Sequence, residues 1–275
     1  MHQRPRYWTV VWDNKSRPGN FFLQTPLRGG TPIVECIKCT KSRLKTISGI
    51  ACYNLQMVPF EKKIITRVRA YLQKEFPSDP TGHDYWHFDR VSRLSKKIAS
   101  GEKAKVDMFI LELGALLHDI GDWKFHDDEL AGGKKARKLL LESKVSESII
   151  RKVEHIVDNV SFKGANVPNK MRSREGKIVQ DADRLDALGA IGLARVFATS
   201  AYFKHSLFDP TVKPVLHKSF GDYKKSFTAI NHFYEKLLLL KDKMNTKTGR
   251  KIAKEKHKFT QNFLNKFLKE WTNYE

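Results

Sequence analysis

Residues 105–121 read KVDMFILELGALLHDIG, and this stretch decides the fold class. Its apolar residues recur at a helical spacing, at Met108, Phe109, Leu111, Leu113, Leu116 and Leu117. A helix that is apolar around most of its surface is typical of a buried element. We therefore predict a buried helix over residues 105–118 that stops at Gly121 and ends on the polar pair His118 and Asp119.

Helical periods continue on both sides of that stretch. A preceding segment places Ile64, Ile65, Val68 and Leu72 on one helical face. Further helices are predicted over residues 84–99, 130–142, 147–159, 177–202, 227–241 and 248–271. The helix over residues 177–202 is apolar on much of its circumference, so we expect it to be largely buried. Because no convincing strand alternation follows Met57, the predicted fold class is all-α, a helical bundle.

The first 56 residues have a different character. They contain nine Lys or Arg residues and two acids, Asp13 and Glu35, which gives a charge of +7 (nine minus two). Pro and Gly interrupt them repeatedly, and no sustained helical period appears. We interpret residues 1–56 as an irregular or weakly structured basic extension, either a leader or an upstream gene-model extension, before a domain over residues 57–275. Because it is poor in acids, the extension is also compatible with organellar targeting.

Composition limits the classes of protein that this chain can represent. Its 51 Lys and Arg residues against 30 Asp and Glu residues give a net charge of +21. Such a charge favours an anionic partner, which could be nucleic acid, an acidic membrane surface or a small phosphorylated substrate. Three cysteines exclude a disulfide scaffold and favour a reducing compartment, so we expect the protein in the cytoplasm. No apolar run approaches the roughly 18 residues of a membrane span.

Polar side chains that could bind a metal lie in three separate segments. The segments are GHDYWHFDRV at residues 82–91, LLHDIGDWKFHDD at 116–128 and VQDADRLDALGA at 179–190. His118 and Asp119 follow a buried helix, where an imidazole and a carboxylate must be solvated, paired or bound to metal. His87 and a carboxylate from the third segment would complete a mixed nitrogen and oxygen site. That ligand set suits Mn, Fe, Zn, Co or Ni better than Ca.

Helical geometry selects the carboxylate of the third segment. Asp183 and Asp186 share one stripe with Val179 and Ala190, whereas Asp181 falls beside a different set of residues. We therefore expect Asp183 and Asp186 to face the interior and Asp181 to lie at the border. Since a buried carboxylate needs a partner, Asp183 is the candidate ligand, and Asp186 is expected nearby.

The order His87, His118-Asp119 and Asp183 resembles the H…HD…D pattern of the HD-domain metal-dependent phosphohydrolases. The similarity is greatest to a bacterial HD subgroup thought to act as nucleotide pyrophosphohydrolases, and it covers roughly residues 57–271. The resemblance implies an HD-domain helical bundle in which these four side chains bind a divalent metal. We expect manganese, with Mg, Co, Ni, Fe and Zn as alternatives.

The resemblance also suggests roles for residues around the metal. An acid at Asp122 would orient water or move a proton, unless it is only a carboxylate at a helix end. Arg184, Lys163 and Lys124 would hold phosphate charge. Asp186 and His126 would lie behind the metal ligands, although a surface position for His126 is an equal alternative.

The implied substrate is a nucleoside triphosphate that is cut to a monophosphate and pyrophosphate. A nucleotidase or a phosphodiesterase could use the same site. A basic nucleic-acid-binding protein with a degenerate HD site is an alternative from another class, which the intact set of four ligands disfavours. We expect no membrane partner, and HD proteins can form homodimers, so the oligomeric state stays open.

Overall fold

A computed structural model describes residues 58–102, 105–121, 130–219 and 228–272 of the 275-residue chain. Its principal helices are α1 (Pro59–Glu75), α2 (Tyr85–Glu102), α3 (Met108–Leu117), α4 (Ala131–Glu142), α5 (Glu147–Val160), α6 (Arg174–Asp186), α7 (Gly189–Tyr202) and α8 (Lys247–Thr272). Within the described ranges no strand forms, and an isolated bridge joins Ser206 to Thr228. The prediction of an all-α fold is confirmed. The predicted extension over residues 1–56 lies outside the described residues.

Helix α3 lies in the middle of the core. Every residue from Phe109 to Leu117 is buried, as the apolar period of this stretch predicts. The helix begins where the Asp107 carboxylate accepts hydrogen bonds from the backbone N–H groups of Phe109 and Ile110. It packs against α1, α2, α5 and α6. Because α3 is surrounded, the polar pair that follows it is delivered into the interior of the bundle.

The predicted single helix over residues 177–202 is wrong. The chain forms α6 and α7 instead, and Gly189 starts α7 with a φ of +74°, a backbone conformation that other residues rarely adopt. The second half of the predicted helix, which is α7, is also less buried than expected. Its buried residues are Gly189, Gly192 and Leu193. After the break, α7 packs against α8 and, to a lesser extent, against α6.

The chain between α7 and α8 includes an irregular helix over residues 229–243. It consists of Ala229–His232, a π-helical turn at Phe233–Leu237, Leu238–Leu240 and a 3₁₀ turn at Lys241–Lys243. A helix was predicted here over residues 227–241. Among the described helices, none combines the length and apolar character that spanning a bilayer requires.

Helix α8 is joined to three other helices by hydrogen bonds near its own start and middle. The backbone N–H of Thr248 donates to Glu102 of α2 over 2.6 Å, and Thr260 accepts from the backbone N–H of Gly189 over 3.1 Å. The two residues before α8, Asn245 and Thr246, donate to Asp181 of α6. The last helix therefore fixes the positions of α2, α6 and α7 relative to one another.

Candidate metal centre

The four predicted ligands come from three neighbouring helices. Asp84 accepts hydrogen bonds from the backbone N–H groups of Trp86 and His87, so that α2 starts just before His87. His118 and Asp119 directly follow α3, and Asp183 lies in the last turn of α6. Because α2, α3 and α6 pack against one another, these side chains meet.

The ligand atoms of His87, His118, Asp119 and Asp183 lie within 4.8 Å of one another. The two Nε2 atoms are 3.0 Å apart. Asp119 Oδ2 lies 3.3 Å from His87 Nε2 and 3.5 Å from His118 Nε2. Asp183 Oδ1 lies 3.7 Å from each of the same nitrogens. Ligands at bonds of about 2.1 Å stand about 3.0 Å apart at a right angle and about 3.4 Å apart at the tetrahedral angle. The spacing therefore matches atoms that share one cation.

Hydrogen bonds behind the histidines fix which ring nitrogen faces the cluster. His87 Nδ1 lies 2.8 Å from an Asp186 oxygen, and His118 Nδ1 lies 2.9 Å from the carbonyl oxygen of Ala115. Both partners only accept hydrogen bonds, so each Nδ1 carries a proton and each Nε2 faces inward, where it can offer a lone pair to a metal. Two ring nitrogens and two carboxylates thus face one another. Such a cluster is stabilised by a cation, and this donor set fits a divalent metal.

The charges of the cluster reinforce that conclusion. Burial by itself lowers the pKa of His118, but the negative charges of Asp119 and Asp183 raise it to about 9, so that without a metal a proton on the ring takes the place that a cation would fill. Burial raises the pKa of Asp183, and its interaction with His118 outweighs burial and lowers that pKa below its usual value. The site therefore favours positive charge between its carboxylates.

Among the four side chains of the cluster, the carboxylates are partly exposed and the histidines are not. The side chains of His87 and His118 are 0% exposed, whereas those of Asp119 and Asp183 are 13% and 24% exposed. Water or a ligand from solution therefore reaches the cluster past the two carboxylates, while the histidines form its closed wall.

The Asp186 carboxylate lies on the outer side of the His87 ring. Its buried carboxylate accepts from His87 Nδ1, from Arg90 Nε and Nη2 over 2.8 and 3.0 Å, and from Arg195 Nη1 over 3.0 Å. Burial favours the protonated acid, but these donors hold the pKa of Asp186 well below its usual range. A carboxylate on the outer nitrogen of a ligating histidine fixes the orientation of the ring.

The sequence interpretation missed Arg90 and Arg195. A signal was present for Arg90, which follows His87 by three residues and so lies on the same face of α2. For Arg195 no signal was available, because it lies on α7 beyond the helix break. The side chain of Arg195 also passes close to Gly82, whose φ is +73°, and a Cβ at that glycine would lie 2.9 Å from Arg195 Cγ.

The prediction for Asp181 was wrong. It is completely buried rather than placed at the border of the helix. Its two oxygens accept from the backbone N–H groups of Asn245 and Thr246 and from the side chains of both residues. The carboxylate therefore anchors the start of α8 to α6 and belongs to the framework around the metal cluster.

Two of the three predicted phosphate-binding residues, Arg184 and Lys163, are among the described residues. Arg184 is buried, and its Nη1 donates to the carbonyl oxygen of Lys243. Lys163 follows α5 and is close enough to Asp158 for the two charges to interact. Three other predicted site residues lie outside the described residues, namely Asp122, Lys124 and His126.

Comparison with known proteins identifies the family. The family model described as HD domain matches residues 85–188, a range that includes all four members of the cluster. YpgQ of Bacillus subtilis, described as an uncharacterized protein, is 36% identical over 211 residues, which is 76% of this chain and 95% of YpgQ.

Solved structures share the fold. A Lactobacillus plantarum protein superposes with a TM-score of 0.70 at 32% identity, covering 79% of this chain and 100% of that one. An HD-superfamily hydrolase from Bacillus thuringiensis gives a TM-score of 0.57 at 37% identity, covering 77% and 98% of the two chains. YpgQ in complex with ADP gives 0.59 at 33% identity, covering 77% and 96%. The chain belongs to the HD-domain superfamily of hydrolases.

Proposed function

We propose that the protein is a metal-dependent phosphohydrolase that cleaves nucleoside triphosphates to monophosphates and pyrophosphate. The observation that carries this proposal is the cluster itself, in which two buried histidines and two partly exposed carboxylates converge. The structure of YpgQ in complex with ADP supports a nucleotide as the ligand. The hydrolase description of the Bacillus thuringiensis relative supports the reaction class.

His87, His118, Asp119 and Asp183 would hold the divalent cation, for which manganese is our first choice. When bound, such a cation polarises a phosphoryl oxygen and lowers the pKa of water. The two histidines close the inner wall and keep other water away from the reacting groups. Asp119 and Asp183 border the open side, where the substrate enters.

Residues outside this set would complete the reaction. We assign Asp122, three positions after Asp119, to orienting the attacking water or moving its proton. Lys163, Arg184 and Lys124 would hold the negative charge of the phosphates. His126 would support the ligands from behind, as Asp186 supports His87.

Product analysis tests the proposal. Purified protein is incubated with Mn²⁺, Mg²⁺, Co²⁺ or no metal and with nucleoside triphosphates, nucleoside monophosphates or a phosphodiester. The products are separated by anion-exchange chromatography. His118→Ala and Asp119→Ala remove ligands. Two exposed residues away from the cluster provide matched controls, His205→Ala and Asp242→Ala.

We expect pyrophosphate and monophosphate from triphosphates, lost in both ligand variants and kept in both controls. Release of inorganic phosphate from monophosphates would mean that the same site works as a nucleotidase. Cleavage of the diester would mean that it works as a phosphodiesterase. The proposal fails if no metal supports turnover. Salt-sensitive RNA binding in that case would favour a nucleic-acid-binding protein, because phosphate contacts release counterions.

A further inference from the structure

Two lysines flank one buried aromatic ring near the end of α5. Phe162 follows α5 and is 7% exposed. Lys236 Nζ lies 5.8 Å and Lys243 Nζ lies 6.0 Å from the centroid of its ring. An ammonium group at about 6 Å is attracted by the negative face of an aromatic ring. The ring therefore holds two positive charges of the irregular helix over residues 229–243 close together.

A third cation lies beside them. The Arg184 side chain donates from Nη1 to the carbonyl oxygen of Lys243, and the residue is only 6% exposed. Its buried Nε has no hydrogen-bond partner among the described residues. Lys243 Nζ donates to the carbonyl oxygen of Ala165 over 2.8 Å. Within the described part of the chain, neither Arg184 nor Lys243 forms an ion pair with a carboxylate.

The lack of a carboxylate partner for Arg184 and Lys243 among the described residues affects the stability of the protein. Arg184 is removed from water with its Nε unpaired among the described residues, and Lys243 is held by a carbonyl oxygen and an aromatic ring rather than by an acid. Cations that are removed from water without a counter-charge destabilise a protein. An anion that contacts both side chains would supply that charge.

The charges of two carboxylates act on Arg184, but both carboxylates have other partners. Asp181 accepts four hydrogen bonds from Asn245 and Thr246. Asp183 belongs to the metal cluster, although it is near enough for its charge to act on Arg184. No described carboxylate forms an ion pair with Arg184 or Lys243, and Arg184 directly follows Asp183 of the metal cluster along the chain.

We propose that Arg184, Lys236 and Lys243 form a subsite for a phosphate group of the substrate, beside the metal cluster and bordered by Phe162. The inference rests on the proposed function and names the residues that recognise the phosphate chain. Arg184 offers a planar fork of N–H donors, and the two lysines act as point charges. Phe162 and Ala165 hold the lysines in place before the ligand arrives.

Calorimetric titration of the manganese-loaded full-length protein tests the subsite with pyrophosphate, ADP and adenosine as probes. Lys236→Met and Lys243→Met remove the charge and keep most of the aliphatic stem, and Lys243→Arg keeps the charge. Lys241→Met is the matched control, since Lys241 lies on the same helix but 3.9 Å from the Asp242 carboxylate. Metal content and melting temperature are measured for every variant.

We expect each Met variant to bind pyrophosphate and ADP about tenfold more weakly, the loss typical of one charge-assisted hydrogen bond. Lys241→Met and Lys243→Arg should bind nearly as well as the wild type, adenosine affinity should not change, and all variants should keep their manganese. Unchanged pyrophosphate affinity in both Met variants would overturn the subsite. An equal loss for adenosine, or an equal loss in Lys241→Met, would also overturn it. None of these outcomes bears on turnover, which product analysis measures separately.

Discussion

Replacing Asp186 by asparagine tests how the metal centre is held. The carboxylate of Asp186 is 2% exposed and accepts from His87, Arg90 and Arg195. An asparagine side chain keeps the shape but loses the charge, and its NH₂ group would face a donor. Both arginines would then lose their charged partner, and either His87 or Arg90 Nε would face the NH₂ group instead of an acceptor.

The size of the effect follows from the burial of each partner. Breaking a buried ion pair costs about 3–5 kcal/mol of unfolding free energy. Arg90 and Arg195 keep 23% and 14% of their side-chain surface exposed, so water can partly replace the lost acceptor. We therefore expect a loss of about 3 kcal/mol, the lower end of that range. Removing the partner of a ligating histidine lowers metal affinity about 10–100-fold.

Urea denaturation of the metal-free protein measures the first quantity, and calorimetric titration with Mn²⁺ measures the second. Asp242→Asn is the control, because the Asp242 side chain is 79% exposed and should change neither. An Asp186→Asn protein that binds Mn²⁺ as tightly as the wild type would refute the reasoning that this carboxylate orients His87.

Three further predictions concern the cation and the framework. A chelator should lower the melting temperature in calorimetry, because a ligand at 100 times its dissociation constant contributes about 2.7 kcal/mol of stability. Asp181→Asn should lower the unfolding free energy in urea by about 1.5–3 kcal/mol, since Asn245 and Thr246 lose a charged acceptor, while bound metal is unchanged. Gly82→Ala should cost about 1–3 kcal/mol in the same assay, because φ is +73° and Arg195 is close.

Each of these results can contradict the structure in a different way. An identical melting temperature with and without chelator would mean that no cation contributes to stability. Loss of bound metal in Asp181→Asn would mean that the start of α8 shapes the metal cluster as well as the framework. Full stability of Gly82→Ala would mean that the turn before α2 tolerates a side chain.

The spacing of residues along single helices was sufficient to predict much of the fold and the side chains of the cluster. The buried helix α3 follows directly from the apolar period of its own sequence, and His118 and Asp119 follow from where that period ends. Asp183 and Asp186 were assigned to the interior by helical spacing alone, and the structure brings both to His87. These features depend on residues within a few turns of one another.

Contacts between distant segments could not be predicted in this way. The burial of Asp181 depends on Asn245 and Thr246, which lie more than 60 residues later in the chain. The break before Gly189 was missed because the apolar pattern continues across it. The spacing of apolar residues does not indicate that Gly189 has a positive φ. Arg195 reaches Asp186 only because of that break, so it was missed for the same reason.

The attachment of α8 also has a consequence for biosynthesis. All four side chains of the cluster have been translated once residue 183 has been added, but α6 is anchored only when Asn245 and Thr246 follow. During elongation on the ribosome, a nascent chain therefore contains every side chain of the cluster well before it contains the two residues that anchor α6. A chain that ends between residues 183 and 245 contains the whole cluster but lacks the hydrogen bonds from Asn245 and Thr246 to Asp181. We therefore expect a protease to cleave α6 more readily in such a chain than in the full-length protein.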